Sequence, residues 1–328
     1  MQYWVCKGTF IPNGVIAGKN EEKRTVDVGE TSVSIGVITE RAGILEVIKY
    51  PQIYTNSGIW LAQLIEELWK LKNKISKDID IIAIGIGARG HVDFKSQRLI
   101  SSSVMEVLDG FELCQDLQYE FGIPVYIDND VKAAASGELL FGAGKKYKDF
   151  ICYNVGTGIA VAAIQDGRLI RGKNNNAGEI GYDLLLKPEP GTEYKGLEAL
   201  ASGQGFATLT NHYKNAREVF EACCRHESEA EAITETALYV LSASVINISH
   251  LLDPEIFVFT GGVASDSWFF ERLKNKVSEL SELLKEKEIP KMMISDFAGK
   301  QNGPYGPAGV AFYGILRSNY KKSEENKY

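Results

Sequence analysis

The sequence predicts an α/β fold built from a duplicated unit, and three observations carry that prediction. First, residues 25–50, TVDVGETSVSIGVITERAGILEVIKY, and residues 151–172, ICYNVGTGIAVAAIQDGRLIRG, read alike. Each is a β-branched strand, a Val-Gly turn carrying threonine, a second strand, a short turn and a third strand. Second, a helix-rich region follows each copy. Third, DIIAIGIG (80–87) and PVYIDN (124–129) come after helices and run almost continuously apolar, as parallel strands buried on both faces do.

Taken in order, residues 1–23 yield only turns at IPNG and GKNEEK. Three antiparallel strands span 25–50. Residues 59–77 place apolar side chains at helical spacing, with a charged opposite face. A helix is expected to begin at Asn129-Asp130. In the second copy Asp166-Gly167 predicts a tight hairpin, because both residues tolerate positive φ. Helical segments follow near 198–225 and at 229–252, then the strand EIFVFTGG (255–262). GPAGVAFYGILRSNY reads as a closing helix, and KKSEENKY as a frayed end. A repeat of this length is a duplicated domain rather than a solenoid. The expected division is 1–130 plus the helix at about 308–328 for one domain, and 131–307 for the other.

Composition narrows the function. The 328 residues suit one large domain or two of ordinary size. The net charge of −7 argues against a nucleic-acid or anionic-membrane surface. No apolar run reads as long enough to span a bilayer, and MQYWVCKGTFIPNG lacks the build of a signal peptide. Five cysteines without disulfide-like spacing suit a reducing cytosol. Cys223-Cys224 reads as small apolar filler in a helix. His91, His212, His226 and His250 are scattered and form no zinc-ligand pattern.

Four stretches could carry chemistry. Asp27, Gly29 and Thr31 form one glycine turn; Gly156, Thr157 and Gly158 form its counterpart. Glycine brings backbone N–H groups close to an anion, and threonine adds a hydroxyl donor. No GxxxxGK[ST] or strand-linked GxGxxG occurs. Asp27 ends a buried strand, where a carboxylate needs a partner or a metal. Asp130 is either a first-turn helix acid or a general base kept ionised by the helix N-terminus. Gly261-Gly262 is either a tight strand-to-helix connection or a place where a flat ligand nears the backbone. In AGEIGYDL (177–184), Glu179 stands on bare, glycine-flanked backbone that could pass close to a ligand.

The order DVGxT, a turn before VD, IDND, GTGIA, AGEIG, LEALASG and TGGV resembles the ROK family (repressor, open reading frame, kinase) over residues 25–316. The resemblance implies duplicated ribonuclease-H-like domains of the actin/hexokinase type with a cleft between them. It implies a cytoplasmic sugar kinase using ATP and Mg2+, with a homodimer as one possible assembly. It makes Asp130 the base on a sugar hydroxyl, with Asn129, Glu179 and Glu198 as sugar contacts near Gly90. It assigns Asp27, Gly29 and Thr31 to phosphates, Asp27 serving Mg2+ indirectly. Gly156, Thr157 and Gly158 form the second phosphate turn, and Gly261 and Gly262 lie near the nucleoside.

Departures from the family pattern are equally informative. Tyr182 replaces a histidine that binds zinc and touches the sugar, and 187–196 contains no cysteine, so no structural zinc is expected. Glu30 replaces a glycine beside the phosphates. Arg89 replaces a proline before Gly90, and Val104 falls near a usual asparagine. These changes point to an unusual acceptor, such as an aminosugar or polyol. The alternative is a non-catalytic sugar sensor of the same fold. The 24 residues before the first strand are too few for a helix-turn-helix.

Overall fold

The structure is a computed structural model, described here at residues 4–6, 9–11, 21–28, 32–39, 43–51, 56–75, 79–102, 110–183, 195–285, 288–298 and 304–325. Two compact units result. The first comprises Met1–Lys146, Asp166–Asn176 and Gln301–Tyr328; the second comprises Tyr147–Gln165 and Ala177–Lys300.

The first unit opens with an antiparallel pair, β1 (Trp4–Cys6) and β2 (Thr9–Ile11), in a region where the sequence suggested only turns. Its main sheet holds β3 (Glu21–Val28), β4 (Ser32–Thr39), β5 (Ile44–Pro51), β6 (Asp80–Ala88) and β9 (Val125–Asn129) in the order β5-β4-β3-β6-β9. The first three are antiparallel neighbours, while β6 and β9 run parallel to β3. Between β6 and β9 lie a small ribbon, β7 (His91–Asp93) with β8 (Arg98–Ser101), and α2 (Leu113–Phe121). Strands of three or four residues are too short for a period to show in sequence.

Helix α1 (Ser57–Lys74) begins where Asn56 Oδ1 accepts from the N–H groups of Gly58 and Ile59, at 2.8 and 3.2 Å. This satisfies two orphan donors of its first turn. Trp60, Leu64, Leu68 and Leu71 fall on one face and are buried in one apolar cluster with Val33, Ile35 and Val37 of β4 and with Val26, Val28, Ile84 and Ile86. The other side of β6 is covered by α3 (Asp130–Phe141) and α9 (Tyr305–Glu325). The helix lies close because Gly85 has no side chain: a Cβ there would sit 1.8 Å from the Pro307 carbonyl oxygen.

In the second unit β10 (Phe150–Val155), β11 (Ile159–Gln165), β13 (Ile256–Thr260) and β14 (Met292–Ile294) take the order β11-β10-β13-β14. β11 is antiparallel to β10, and β13 and β14 are parallel. This repeats β4-β3-β6-β9 of the first unit in order and sense, which is the duplication expected from sequence. Asp166 (φ 51°) and Gly167 (φ 68°) form the expected tight turn into β12 (Arg168–Leu169). Helices α4 (Leu197–Ala201), α5 (Gly203–Thr208), α6 (Ala216–Cys224), α7 (Ser228–Leu252) and α8 (Ser267–Leu283) complete the unit.

The core of the second unit is aromatic. Tyr153 stacks on Phe259 at 5.0 Å between ring centres, and its hydroxyl donates to Ser244 Oγ on α7 at 3.0 Å. Among the described residues α7 is the one helix long and apolar enough to cross a membrane, but 56% of that window is buried within the protein. Its Leu238, Leu241 and Val245 are wholly buried or nearly so. The apolarity of α7 therefore serves packing.

Two sequence expectations shift here. The boundary drawn at residue 131 falls at the start of α3, which packs on α9 and β6; the first unit continues through Lys146 and takes back Asp166–Asn176. Of the vicinal cysteines, only Cys223 is buried filler, while Cys224 at the end of α6 is exposed.

Candidate active site

On the first unit, the parallel strands β3, β6 and β9 end at one edge of the sheet, and register places Asp27 beside Gly87 and Ala88 beside Asn129. The carboxyl edge of parallel strands is where open α/β sheets present ligand-binding groups. Asp27 lies one residue from the end of β3, Asn129 is the last residue of β9, and Asp130 is the first of α3. The sequence reading of IDND as a strand-to-helix corner is correct.

Asn129 is the N-cap of α3. Its Oδ1 accepts from the N–H groups of Val131 and Lys132 at 3.0 and 3.3 Å, and its Nδ2 donates to the Gly90 carbonyl at 3.1 Å. Gly90 has a φ of 134°, and a Cβ there would lie 2.4 Å from the Ser101 carbonyl oxygen. The side chain expected to meet a sugar thus also holds the β6–β7 turn against the start of α3. One Nδ2 proton remains for a further acceptor.

Asp130 Oδ1 accepts from the Val131 N–H at 3.0 Å. Burial raises the pKa of this carboxyl, against the opposing pull of the Val131 hydrogen bond, Arg89 and Lys132. Desolvation thus outweighs the favourable charges at the helix N-terminus, which still act in the direction expected. Burial, then the negative charge of Asp130, pushes Asp27 up to about 7, with Lys49 opposing. Gly29, Thr31, Glu30 and Val104 lie outside the described residues.

Sequence reading missed three polar residues behind this corner. Asp128, fully buried, pairs through Oδ2 with Arg171 Nη1 at 2.6 Å. Asn175 donates to Asp128 Oδ1 at 3.1 Å. In sequence Arg171 and Asn175 sit in RLIRGKNNN, whose run of polar residues reads as an ordinary loop, while Asp128 is the first acid of IDND.

On the second unit, four sequence motifs converge on the β10–β11 turn. Gly156 N–H donates to the Gly158 carbonyl at 3.0 Å, and the first residues of α5 hold the turn, Gly203 N–H to Gly156 O at 2.7 Å and Gln204 N–H to Thr157 O at 3.2 Å. Glu198 Oε2 accepts from Ile159 N–H at 2.8 Å, so the acid of LEALASG braces the strand that leaves the turn. Gly261 (φ 89°) packs so closely that a Cβ would lie 2.7 Å from the Gly156 nitrogen, whereas a Cβ on Gly262 would meet nothing within 4 Å.

The AGEIG glycines have a different cause from the one expected. Gly178 (φ 94°) lies against β11: its carbonyl accepts from Val161 N–H at 2.8 Å, and a Cβ would fall 1.8 Å from the Val161 oxygen. A Cβ on Gly181 would fall 2.8 Å from the Ile159 oxygen. Close approach of the segment to its own sheet requires these glycines. Glu179 is thereby left exposed just before a short 3-10 turn, and Tyr182 is 81% exposed at its end.

A family model for the ROK family matches residues 24–311, and the chain belongs to that family. Its fold is the duplicated ribonuclease-H-like fold of the actin/hexokinase type. The chain is 26% identical over 262 residues to a beta-glucoside kinase from Listeria innocua, covering 77% of this chain and 86% of that protein. It is 28% identical over 264 residues to a glucokinase from Halalkalibacterium halodurans, covering 73% and 79%. The solved ROK hexokinase from Thermus thermophilus superposes with a TM-score of 0.78 at 24% identity, over 90% of this chain and 99% of that one, which shows the shared fold.

Proposed function

We propose that the chain transfers a phosphoryl group from ATP to a hydroxyl of a monosaccharide or sugar-like acceptor, with Asp130 as general base. The chain is a sugar kinase of the ROK family. The observation that carries the finer reading is the Asp27–Asp130 relationship at the strand ends of the first unit, supported by the beta-glucoside kinase and glucokinase relatives.

Asp27 and Asp130 are two partly buried acids; burial raises both, and the charge of Asp130 adds to the rise at Asp27. Such a pair suits a divalent cation; Mg2+ is held by one or two carboxylates, with water and phosphates completing its shell. The donor set therefore fits Mg2+, Asp27 serving it indirectly. Bound there, Mg2+ neutralises charge on the transferring phosphates.

The chain's own residues do the rest. Asn129 fixes the corner from which Asp130 projects, and Asp130 orients the acceptor hydroxyl and takes its proton. Burial makes that carboxylate a better proton acceptor. Phosphoryl transfer proceeds through a loose transition state, so positioning matters more than base strength. Glu179, Glu198 and Tyr182 on the second unit supply acceptor contacts, and Gly90 on the first supplies another. Glu198 has Oε1 to offer, since Oε2 serves Ile159. Asp27, Gly29 and Thr31, and the turn Gly156, Thr157 and Gly158, take the phosphates, with Gly261 and Gly262 at the nucleoside. The exposed Tyr182 in place of the family's histidine supports an acceptor other than plain glucose, and a zinc-free site. A cytoplasmic location is part of this reading, with a homodimer as one possible assembly.

Incubation with Mg-ATP and a panel of sugars, aminosugars and polyols, scored by product mass, tests it. A single phosphorylated product lost in Asp130→Asn is expected. Stabilisation by a sugar with no turnover and no response to Mg-ATP would replace the kinase reading by a sensor.

A further inference from the structure

We propose that Arg171 is a positioning residue for phosphoryl transfer, acting through Asp128 and Asn175 on the Asn129–Asp130 corner. The proposal rests on the reading of Asp130 as the base.

The geometry forms one closed polar network inside the first unit. Arg171 Nη1 pairs with Asp128 Oδ2 at 2.6 Å and donates to Asn175 Oδ1 at 2.9 Å. Asn175 Nδ2 donates to Asp128 Oδ1 at 3.1 Å and to the Val92 carbonyl of β7 at 3.0 Å. The same Asp128 Oδ1 accepts from the Asn129 backbone N–H at 2.9 Å. Asp128 is fully buried, Asn175 is 7% exposed and the Arg171 side chain 15%. The Arg171 guanidinium lies over the Phe94 ring at 3.3 Å, and that of Arg317 lies 4.5 Å from the same ring.

A buried carboxylate keeps its charge and orientation only while its partner stays. Losing Arg171 would let Asp128 turn, and Oδ1 is the atom that holds the Asn129 N–H. That N–H belongs to the residue capping α3, one position before Asp130. Along the other branch, Asn175 (φ 60°) ties the loop to β7 only two residues before Ala177 opens AGEIG. One ion pair thus sets the backbone that leads into the base.

The test compares Arg171→Met, Arg171→Lys and Asn175→Gly in the full chain. The acceptor is whichever of glucose, N-acetylmannosamine and cellobiose gives most product with Mg-ATP. Arg171→Met is expected to lower kcat/KM for the sugar about 10²-fold, the cost of a misplacement near 1 Å, while KM for ATP stays within about twofold. Arg171→Lys should recover part of that loss, because charge returns without the guanidinium fork. Asn175→Gly keeps the ion pair and suits the positive φ, so it reports on positioning even if Arg171→Met fails to fold.

A sugar kcat/KM unchanged in Asn175→Gly and Arg171→Met overturns the proposal, as does a loss shared equally by sugar and ATP and tracking the fall in Tm. Turnover retained by Asp130→Asn sinks the base assignment alone; the sugar KM still reads the Arg171 effect. Where none of the three sugars is phosphorylated, amide hydrogen exchange decides: faster exchange at 129–131 in Asn175→Gly supports the network, and unchanged exchange overturns it.

Discussion

Asp27 and Asp130 share one electrostatic environment at the carboxyl edge of the first sheet: the charge of Asp130 adds to burial in pushing the Asp27 carboxyl up to about 7. Ionising both acids therefore carries an electrostatic cost.

That cost makes stability depend on pH. The folded pKa of Asp27 lies above its unfolded value, so between about pH 4 and pH 7 the folded state holds more protons than the unfolded one. Stability then falls as pH rises through this window, by at most about 1.4 kcal/mol per pH unit from this group. Melting curves in EDTA from pH 4.5 to 8 should show a downward trend in Tm that Asp27→Asn flattens. A trend identical in both proteins would assign it to other groups.

Asp130→Asn should lower kcat by about 10²- to 10⁴-fold while Tm holds or rises, because the buried acid's cost is removed and the asparagine Oδ1 can still accept from Val131. Single-turnover product formation and a thermal melt check both halves.

The paired glycines after β13 should behave differently. Gly261→Ala places a Cβ 2.5 Å from the Val155 carbonyl in a positive-φ conformation, and the strain is expected to cost about 1–3 kcal/mol of stability. Gly262→Ala meets nothing within 4 Å, so Tm should not move. If the nucleoside lies there, KM for ATP alone should rise. Urea unfolding and ATP titration separate these outcomes, and a Gly262→Ala protein with normal ATP affinity would remove Gly262 from the nucleotide site.

Tyr182 is 81% exposed, so Tyr182→His should change stability by less than about 0.5 kcal/mol. Its effect should fall on acceptor choice, read as a changed ratio of kcat/KM between glucose and an aminosugar. An unchanged ratio would make the tyrosine a bystander.

Sequence alone determined the class of fold and most of the motif positions. The strand–turn–strand repeat, the continuous apolar parallel strands and the Asp166-Gly167 turn are local patterns, and each took the shape its period or turn chemistry dictates. The corner at Asn129-Asp130 was also legible, since N-capping is decided within four residues. Tertiary structure alone decided which groups meet. It showed that the AGEIG glycines lie against β11 and that Glu198 braces Ile159. It set burial against the helix-start hydrogen bonds at the Asp130 carboxyl. It also joined Asp128 to Arg171 across 43 residues of chain. Burial and pairing between distant segments depend on how strands are ordered in the sheet, and no local pattern of residue types encodes that distance.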